Sequence, residues 1–523
     1  MRKFNFPLTS LVTLGALAAF SRLPQLLGGY LYPDSDECVI GLMALRWLRQ
    51  GEFPAFFWGQ GYGLATLEAG LVAAGYRVLG YGPLALKASM LVLWVLGVWV
   101  LGLAIRRFSG RRAAWVCLLL MIACPAWAGW SMKARGGYLT AFLFFNTILW
   151  LVGAMRSHVP TARRERVFFG VLGLLAVLTA LAQPVWALPM MPFLALALAG
   201  AKGRRAALAG WFALGAGLPL CLYGWWLTRR PPTWLAPMND RDVLTNLSHL
   251  PEKIGQHLTG AYFLSFPMPV TFWASLSGGL WYLLLIVGVV LALHGALRRR
   301  VYGPSQAAVL AVLAACAYTL PLNRYYNGAR FLLPLTGLLL IMIGDYFSQA
   351  WRAGRAPRWL VLAPIALLGV VGARNLADWR MPLNQYDRLL VQVQQSDALA
   401  ARDALLARGI RDVYCLDFMQ QYVLMFAAKE EILARATAIT AERQTFYPLA
   451  VEQARLTGRP TALFGNVAQR QAVLEAARSR GLALNGLVST SPYFFILPNP
   501  PAPLLQALKF ELAPSAPANR ARF

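Results

Sequence analysis

The stretch YPDSDECVIGLMALRWLRQG, residues 32–51, follows directly on a long apolar segment at residues 7–28. It carries three acids, Asp34, Asp36 and Glu37, within four positions. An apolar run of 22 residues is long enough to cross the roughly 30 Å hydrocarbon layer of a bilayer as a helix. The chain therefore places carboxylates where its first predicted membrane span ends.

The composition extends this interpretation to most of the chain. Of 523 residues, 58% are hydrophobic and only 14% are charged. Apolar runs of about span length recur over roughly the first 375 residues, which predicts a polytopic α-helical membrane protein. The formal net charge is +27, but much of it falls in short arginine clusters between apolar runs. That pattern is typical of loops held on one side of a membrane and argues against nucleic acid as a partner.

About eleven spans are predicted, each near 20 residues long. They are 7–28, 84–105, 113–130, 138–155, 168–184, 185–200, 206–228, 275–297, 305–322, 330–348 and 358–374. With this count the arginine clusters near residues 2, 106–112, 156–166, 202–205, 298–300 and 352–358 all face one side. The positive-inside bias makes that side cytoplasmic. No clear cleavage site follows the first span, so we expect it to be retained.

Residues 64–80, LATLEAGLVAAGYRVLG, are the exception to the span pattern. Counting them as a full span would move every later arginine cluster to the opposite side of the membrane. We therefore predict a helix that dips into the membrane or lies along it, with Glu68 near its start.

The sequence divides the chain into a membrane module, residues 1–378, and a soluble α/β domain, residues 379–523. The outer face then holds loop 29–83 with the acidic stretch, loop 229–274, and the C-terminal domain. That domain alternates predicted helices with short strands, which is the pattern of an α/β fold. Its predicted helices are 386–407, 421–435 and 466–480, and its predicted strands are 412–416, 461–465 and 493–497.

Two interpretations of the acids remain open. After them, apolar residues recur at helical spacing from Ile40 to Leu48, which predicts an amphipathic helix in the outer interface. Asp34 and Glu37 have the spacing of a capping box. A single N-cap does not account for all three acids. Alternatively, a carboxylate at the membrane boundary acts as a general base or metal ligand for a lipid-borne substrate. Glu68 either joins that site or pairs with Arg77 or a tyrosine.

Two basic sites on the outer face depart from the positive-inside bias. The first is WSMKARGGYLTA, residues 130–141, with Lys133 and Arg135, and the second is NRYYNGARFLLP, residues 323–334, with Arg324 and Arg330. A lipid phosphate or pyrophosphate would explain them, because arginine binds phosphate through a planar fork and lysine as a point charge. The alternative is snorkelling toward lipid headgroups.

In these residues the sequence resembles the GT-C superfamily of polytopic glycosyltransferases. It is most similar to the family-39-like bacterial branch, which includes protein O-mannosyltransferases and lipid A aminoarabinose transferases. The similarity lies in the order of short motifs. They are Asp36-Glu37 followed by GLMALRWLRQGEFPAFFWGQGYG, then MKARGGY at 132–138, ARFLLPL at 329–335, and the tail segments beginning at residues 409 and 442. Phe331 stands where the family usually has tyrosine.

The resemblance implies transfer of a sugar, with inversion, from a polyprenyl-phosphate donor to a protein, lipid or glycan acceptor. Its setting is the outer face of the bacterial cytoplasmic membrane. Asp36 would be the catalytic base, with Glu37 and Glu68 orienting acceptor or donor. The residues that would bind the lipid phosphate or donor are Lys133, Arg135, Tyr138, Arg330 and Tyr62. A divalent cation, held by Asp36 and Glu68, stays an open alternative because superfamily branches differ in their need for metal.

Three other functions fit parts of the pattern. A transporter or flippase of lipid-linked sugars would need polar groups along several spans, and these spans carry few. A ligase or polymerase of polyprenyl-linked glycans leaves the acidic loop and the soluble tail unexplained. A non-catalytic scaffold predicts that Asp36→Asn is silent. For the C-terminal domain, acceptor recognition is the preferred role.

Overall fold

The structure is a computed structural model of the full chain. It describes residues 8–27, 31–157, 161–200, 204–229, 243–260, 262–263, 266–267, 271–299, 302–320, 328–353, 355–378, 385–436, 442–484 and 486–512. These residues form two compact units. The membrane unit comprises the described residues of Met1–Leu31, Tyr62–Pro231 and Ala236–Asp387. The α/β unit comprises Tyr32–Gly61 and the described part of Arg388–Phe523.

The membrane unit is helical apart from one small hairpin, and it confirms the predicted polytopic fold. Its helices are α1 (Leu8–Leu26), α3 (Thr66–Leu79), α4 (Pro83–Ser109), α5 (Arg111–Ala123), α6 (Ala126–Trp130), α7 (Tyr138–Ser157), α8 (Ala162–Ala182), α9 (Ala187–Gly200), α10 (Arg205–Arg229), α11 (Val243–Ser248), α12 (Leu250–Thr259), α13 (Phe272–Arg299), α14 (Pro304–Thr319), α15 (Gly328–Phe331), α16 (Leu333–Ala353) and α17 (Arg355–Asp378). The hairpin pairs β1 (Tyr262–Phe263) with β2 (Phe266–Pro267).

Each of the eleven predicted spans coincides with helix. Within the part of the chain that the structure describes, six helices are long and apolar enough to cross a membrane: α4, α7, α8, α10, α13 and α16. The segments at α9, α14 and α17 contain shorter apolar helices. Two predicted spans meet at Gln183-Pro184, where α8 stops and a short 3-10 turn, Pro184–Trp186, leads into α9. Proline causes this break because it has no backbone N–H to donate.

Residues 64–80 form α3, as expected, and α3 is not among the helices that could span. Its 14 residues rise about 21 Å at 1.5 Å per residue, which is too short for the roughly 30 Å hydrocarbon layer.

The α/β unit combines the acidic stretch with the C-terminal residues. It contains α2 (Ser35–Gln50), α18 (Gln385–Leu406) at its edge, α19 (Phe418–Ala427), α20 (Phe446–Leu456), α21 (Val467–Arg478) and α22 (Ala502–Ala507). Its strands are β3 (Asp412–Cys415), β4 (Leu433–Arg435), β5 (Thr461–Asn466), β6 (Val488–Ser489) and β7 (Phe494–Pro498).

These five strands form one mixed sheet in the order β4-β3-β5-β7-β6. The pairs β3–β4 and β3–β5 are parallel, and β5–β7 and β6–β7 are antiparallel. Strand β3 is buried at every position, as expected of a parallel strand covered on both faces. The predicted strands at 412, 461 and 493 are therefore confirmed to within a residue or two.

The predicted helix 421–435 is wrong in its second half. Helix α19 ends at Ala427, and Lys429 and Glu430 both adopt positive φ angles, 51° and 64°. That conformation ends a right-handed helix. The chain then enters β4, whose Ala434 pairs in parallel with Val413 of β3. Local helical spacing could not predict this strand, because its partner is distant in sequence.

Two expectations about the first outer loop differ from the structure. The sequence placed loop 29–83 with the membrane module, whereas Tyr32–Gly61 belongs to the α/β unit. The amphipathic pattern of α2 predicted an interfacial helix, yet every residue from Glu37 to Arg46 is buried. Arg46 is accommodated because Glu52 and Glu430 bind it at 2.7 and 2.9 Å.

Candidate active site

The acidic stretch forms the start of α2, and two of its acids build a complete capping box. The Asp34 side chain accepts hydrogen bonds from the backbone N–H groups of Asp36 and Glu37, at 3.0 and 3.1 Å. In return, Glu37 Oε2 accepts from the Asp34 N–H at 3.2 Å. This arrangement satisfies N–H groups that have no partner inside the helix. Capping therefore accounts for Asp34 and for one oxygen of Glu37, which is 1% exposed.

The Asp36 side chain is not part of this capping box. Its Oδ1 accepts a hydrogen bond from Nη2 of Arg443 at 2.7 Å, a contact between residues 407 positions apart in sequence. The guanidinium of Arg443 also lies over the ring of Phe57, with 4.9 Å from Cζ to the ring centre. No local sequence signal marks Arg443, because its partner in α2 is far away along the chain.

Glu68 lies in the first turn of α3 and is completely buried. Its Oε1 accepts from the backbone N–H of Leu139 at 3.2 Å. Among the described residues its Oε2 has no hydrogen-bond partner. Burial raises the pKa of the Glu68 carboxyl to about 7, against the opposing effect of backbone groups of Gly137, Thr140, Leu139 and Arg135. The structure thus shows Glu68 bound at the N-terminus of α7, where helix geometry favours a carboxylate.

The glycine pair before α7 allows a close backbone approach. Gly136 and Gly137 have φ angles of 61° and 88°, which favour glycine. A Cβ built on Gly137 would come within 2.4 Å of the carbonyl oxygen of Ala182. Gln183 Nε2 donates to the Gly136 carbonyl at 2.7 Å. The segment KARGGY is therefore held against the end of α8.

The Tyr62-Gly63 segment meets the same end of α8. The Gly63 N–H donates to the Leu181 carbonyl at 2.9 Å. Tyr62 and Tyr138 both lie close enough to the phenol of Tyr318 to interact with it electrostatically. Tyr318, in α14, was not singled out by sequence analysis, because one tyrosine in an apolar run carries no signal.

Lys133, Arg135 and Tyr138 lie in the same segment of the membrane unit. Lys133 is 2% exposed and Tyr138 is 5% exposed. The Tyr138 ring contacts Trp130, with 5.0 Å between ring centres. Arg135 is half-buried. The burial of Lys133 does not fit snorkelling toward headgroups, which keeps a charged head in water.

A buried arginine in α1 holds the chain just before this segment. Arg22, fully buried, donates from Nε to Ser131 Oγ at 2.9 Å and from Nη1 to the Ile122 carbonyl at 2.9 Å. It also lies over Trp94 at 4.8 Å. Arg22 is a further candidate that the motifs do not include. Its position inside a predicted span is the available signal, since charged groups there are costly and mark structural or functional positions.

Arg330 lies in the short helix α15. Its guanidinium carbon is 5.0 Å from the Phe331 ring centre, and its buried Nε has no hydrogen-bond partner within the described ranges. His257 is fully buried and interacts with the backbone of Ala329, the residue before Arg330. The His257 Nε2 atom lies 3.1 Å from Thr336 Oγ1. Burial lowers the pKa of His257 to about 3, so it is neutral. Arg324 lies outside the described residues.

The side chains do not form a ready metal site. Across the part of the chain that the structure describes, no group of three or more His, Cys, Asp or Glu residues is placed to hold a metal ion. One oxygen of Asp36 is bound to the guanidinium of Arg443. The described side chains therefore offer no assembled set of metal ligands.

No protein-family model matches the chain, and no curated protein matches it in sequence. Solved structures do match. ArnT from Cupriavidus metallidurans, a lipid A aminoarabinose transferase, superimposes with a TM-score of 0.61 in the apo state and 0.60 bound to undecaprenyl phosphate. This chain and the ArnT bound to undecaprenyl phosphate are 13% identical, and the match covers 95% of this chain and 99% of the ArnT chain. The fold is the GT-C fold.

A second GT-C structure matches over a smaller part of its own length. The oligosaccharyltransferase of Archaeoglobus fulgidus, in a complex with Zn and sulfate, has a TM-score of 0.50 and 12% identity, covering 90% of this chain and 70% of the archaeal chain. The predicted GT-C resemblance, drawn from short motifs, is thus confirmed at the level of the fold.

Proposed function

We propose that this protein is a membrane glycosyltransferase that takes a sugar from a polyprenyl-phosphate donor at the outer face of the cytoplasmic membrane. The observation that carries the proposal is the GT-C fold, shared over 95% of the chain with a transferase solved with undecaprenyl phosphate bound. The separation of roles among the acidic side chains supports it, because the capping box uses the carboxylates of Asp34 and Glu37, whereas the carboxylate of Asp36 binds Arg443.

In the proposed reaction Asp36 is the general base. Its carboxylate removes the proton of an acceptor hydroxyl, the acceptor oxygen bonds to the anomeric carbon, and the bond from that carbon to the phosphate oxygen breaks. A single displacement of this kind inverts the anomeric centre. The proton stays on Asp36 until it passes to water, and the leaving group is the polyprenyl phosphate.

The basic groups of the membrane unit are proposed to hold that phosphate. Arg135 and Arg330 would bind it, with Lys133 assisting, and Tyr62 and Tyr138 would contribute phenol donors. An arginine fork matches phosphate oxygens in a charge-assisted geometry. The buried Nε of Arg330 has no hydrogen-bond partner among the described residues, and this supports the role, since a buried donor without a partner is costly unless a ligand satisfies it. Glu37 and Glu68 would orient donor or acceptor indirectly, through the segments they cap.

The test compares two isosteric changes two residues apart. Purified protein is incubated with a panel of polyprenyl-phosphate sugars and a membrane extract as acceptor source. Asp36→Asn should lower donor turnover about 100- to 10,000-fold, the usual contribution of a general base. Asp34→Asn should keep near-wild-type turnover, because asparagine caps a helix about as well as aspartate.

Each outcome is decisive. Turnover that survives Asp36→Asn would remove Asp36 from the mechanism. A folded wild type that consumes no donor in the panel would overturn the transferase proposal and favour transport or ligation of lipid-linked glycans.

A further inference from the structure

We propose that Arg443 is a positioning residue for Asp36, and that the C-terminal part of the chain serves the reaction by holding the base. The inference rests on the proposed function, in which Asp36 is the general base. It gives the C-terminal residues a different role from the acceptor recognition expected from sequence.

The contact itself has the features of a built interaction. The Arg443 and Asp36 side chains are only 10% and 17% exposed, and Nη2 and Oδ1 are 2.7 Å apart. A charge-assisted hydrogen bond of this length is about twice as strong as a neutral one. Partial burial also protects the pair from screening by salt. Phe57, from the same segment as Asp36, stacks on the guanidinium and limits its rotation.

Both neighbours of Arg443 are anchored. Buried Glu442 accepts from Gln421 Nε2 at 2.8 Å and from the backbone N–H of Ala436. Gln444 Nε2 donates to Glu52 Oε1 at 3.2 Å. The residues on either side of Arg443 are therefore both bound, and its guanidinium is held by Asp36 and Phe57.

The other end of α2 is tied to the C-terminal residues as well. Arg46 bridges Glu52 and Glu430, and Tyr447 donates to the same Glu430 oxygen at 2.9 Å. The Arg46 guanidinium lies 4.6 Å from the Phe446 ring centre. Glu430, Arg443 and Phe446 therefore contact α2 both at its acidic start and in its C-terminal half.

This geometry matters for a base. Fixing Oδ1 of Asp36 also fixes where its second oxygen points, and an error of about 1 Å in such an arrangement can cost about 100-fold in rate. Arg443 would act on the rate through Asp36 and without touching the substrate.

The test uses the full-length protein with the donor and acceptor of the Asp36 assay. Arg443→Ala should lower kcat about 100-fold and leave the donor KM within about twofold, because the proposed donor contacts lie in other residues. Free guanidinium should restore part of the kcat of Arg443→Ala and none of the kcat of Asp36→Asn. Arg459→Ala, an exposed arginine paired with Asp412 in the same unit, is the matched control and should behave as wild type.

A measurement independent of activity accompanies it. The melting temperatures of Asp36→Asn, Arg443→Met and the double variant should all be lowered by about the same amount. Either single change already removes the Arg443–Asp36 interaction, so the second change should lower the melting temperature no further. If Arg443→Ala does not fold, Arg443→Met, which keeps the aliphatic stem, is judged by the same kcat and KM criteria.

The outcomes separate this proposal from the proposed function. If the wild type shows no donor turnover, the transferase proposal is overturned, whereas a non-additive change in melting temperature would still show that Arg443 and Asp36 are coupled. Normal kcat in a folded Arg443 variant, or additive melting decreases, overturns the positioning role while transferase activity stands.

Discussion

Three acids within four positions acquire different tasks according to which hydrogen bonds remain available to each. Asp34 is at the N-cap, so its oxygens face the free N–H groups of the first turn. Glu37 completes the capping box by accepting a hydrogen bond from the Asp34 N–H. Asp36 lies between them on the helix and is presented to Arg443. Residue type alone does not distinguish these positions, whereas helix geometry does.

Glu68 shows how burial changes a carboxyl group, and it predicts a pH dependence. Its native pKa of about 7 lies above its ordinary value of 4.5, so the folded protein binds more protons than the unfolded one between these values. Stability should therefore fall as pH rises from about 4.5 through 7. The total cost is on the order of 3 kcal/mol, at about 1.4 kcal/mol per pKa unit.

The check is Glu68→Gln, which keeps an acceptor oxygen but cannot ionise. Thermal unfolding in detergent should find this variant more stable than wild type at pH 8 and nearly equal to it at pH 5. A difference between the two proteins that is the same at both pH values would contradict the assignment.

At the scale of elements, the start of α7 depends on a backbone approach that a side chain would block. Gly137 has a φ of +88°, and an added Cβ would meet backbone atoms of both Ala182 and Leu64. Gly137→Ala should therefore destabilise the protein by several kcal/mol, combining backbone strain with displacement of α8, and should abolish donor turnover.

A second glycine provides the control. Gly217, inside α10, has nothing within 4 Å of an added Cβ, and alanine is favoured over glycine in a helix by about 1 kcal/mol. Gly217→Ala should match or exceed the wild-type melting temperature. Equal melting of Gly137→Ala and Gly217→Ala would refute the close approach.

For the whole molecule, the arginine clusters predict an orientation with the α/β unit outside the cytoplasm. A cysteine at exposed Ser479, in the α/β unit, should react with a membrane-impermeant maleimide in intact spheroplasts. A cysteine at exposed Arg111, the first residue of α5, should react only after permeabilisation. The wild type, with its native cysteines, gives the background. Labelling of Arg111→Cys in intact spheroplasts would reverse the proposed orientation.

Much of the secondary structure could be predicted from the sequence because its signals are local. Apolar run length located the eleven helical segments, and the boundary between the predicted spans 168–184 and 185–200 falls at the break between α8 and α9. Short alternating segments located β3, β5 and β7. Where the signal was not local, prediction failed, as with β4, which depends on pairing with β3.

The sequence by itself determined a polytopic helical chain with a small α/β part, and it singled out Asp36, Glu68 and the KARGGY segment. Hydrophobic length, helix-capping spacing and charge bias are properties of neighbouring residues, so they can be read along the chain. Only the tertiary structure decided that Arg443 binds Asp36, that Glu68 caps α7 and that α2 is buried. Those contacts join residues 71 to 407 positions apart, and no local pattern records which distant partner a buried charge will find.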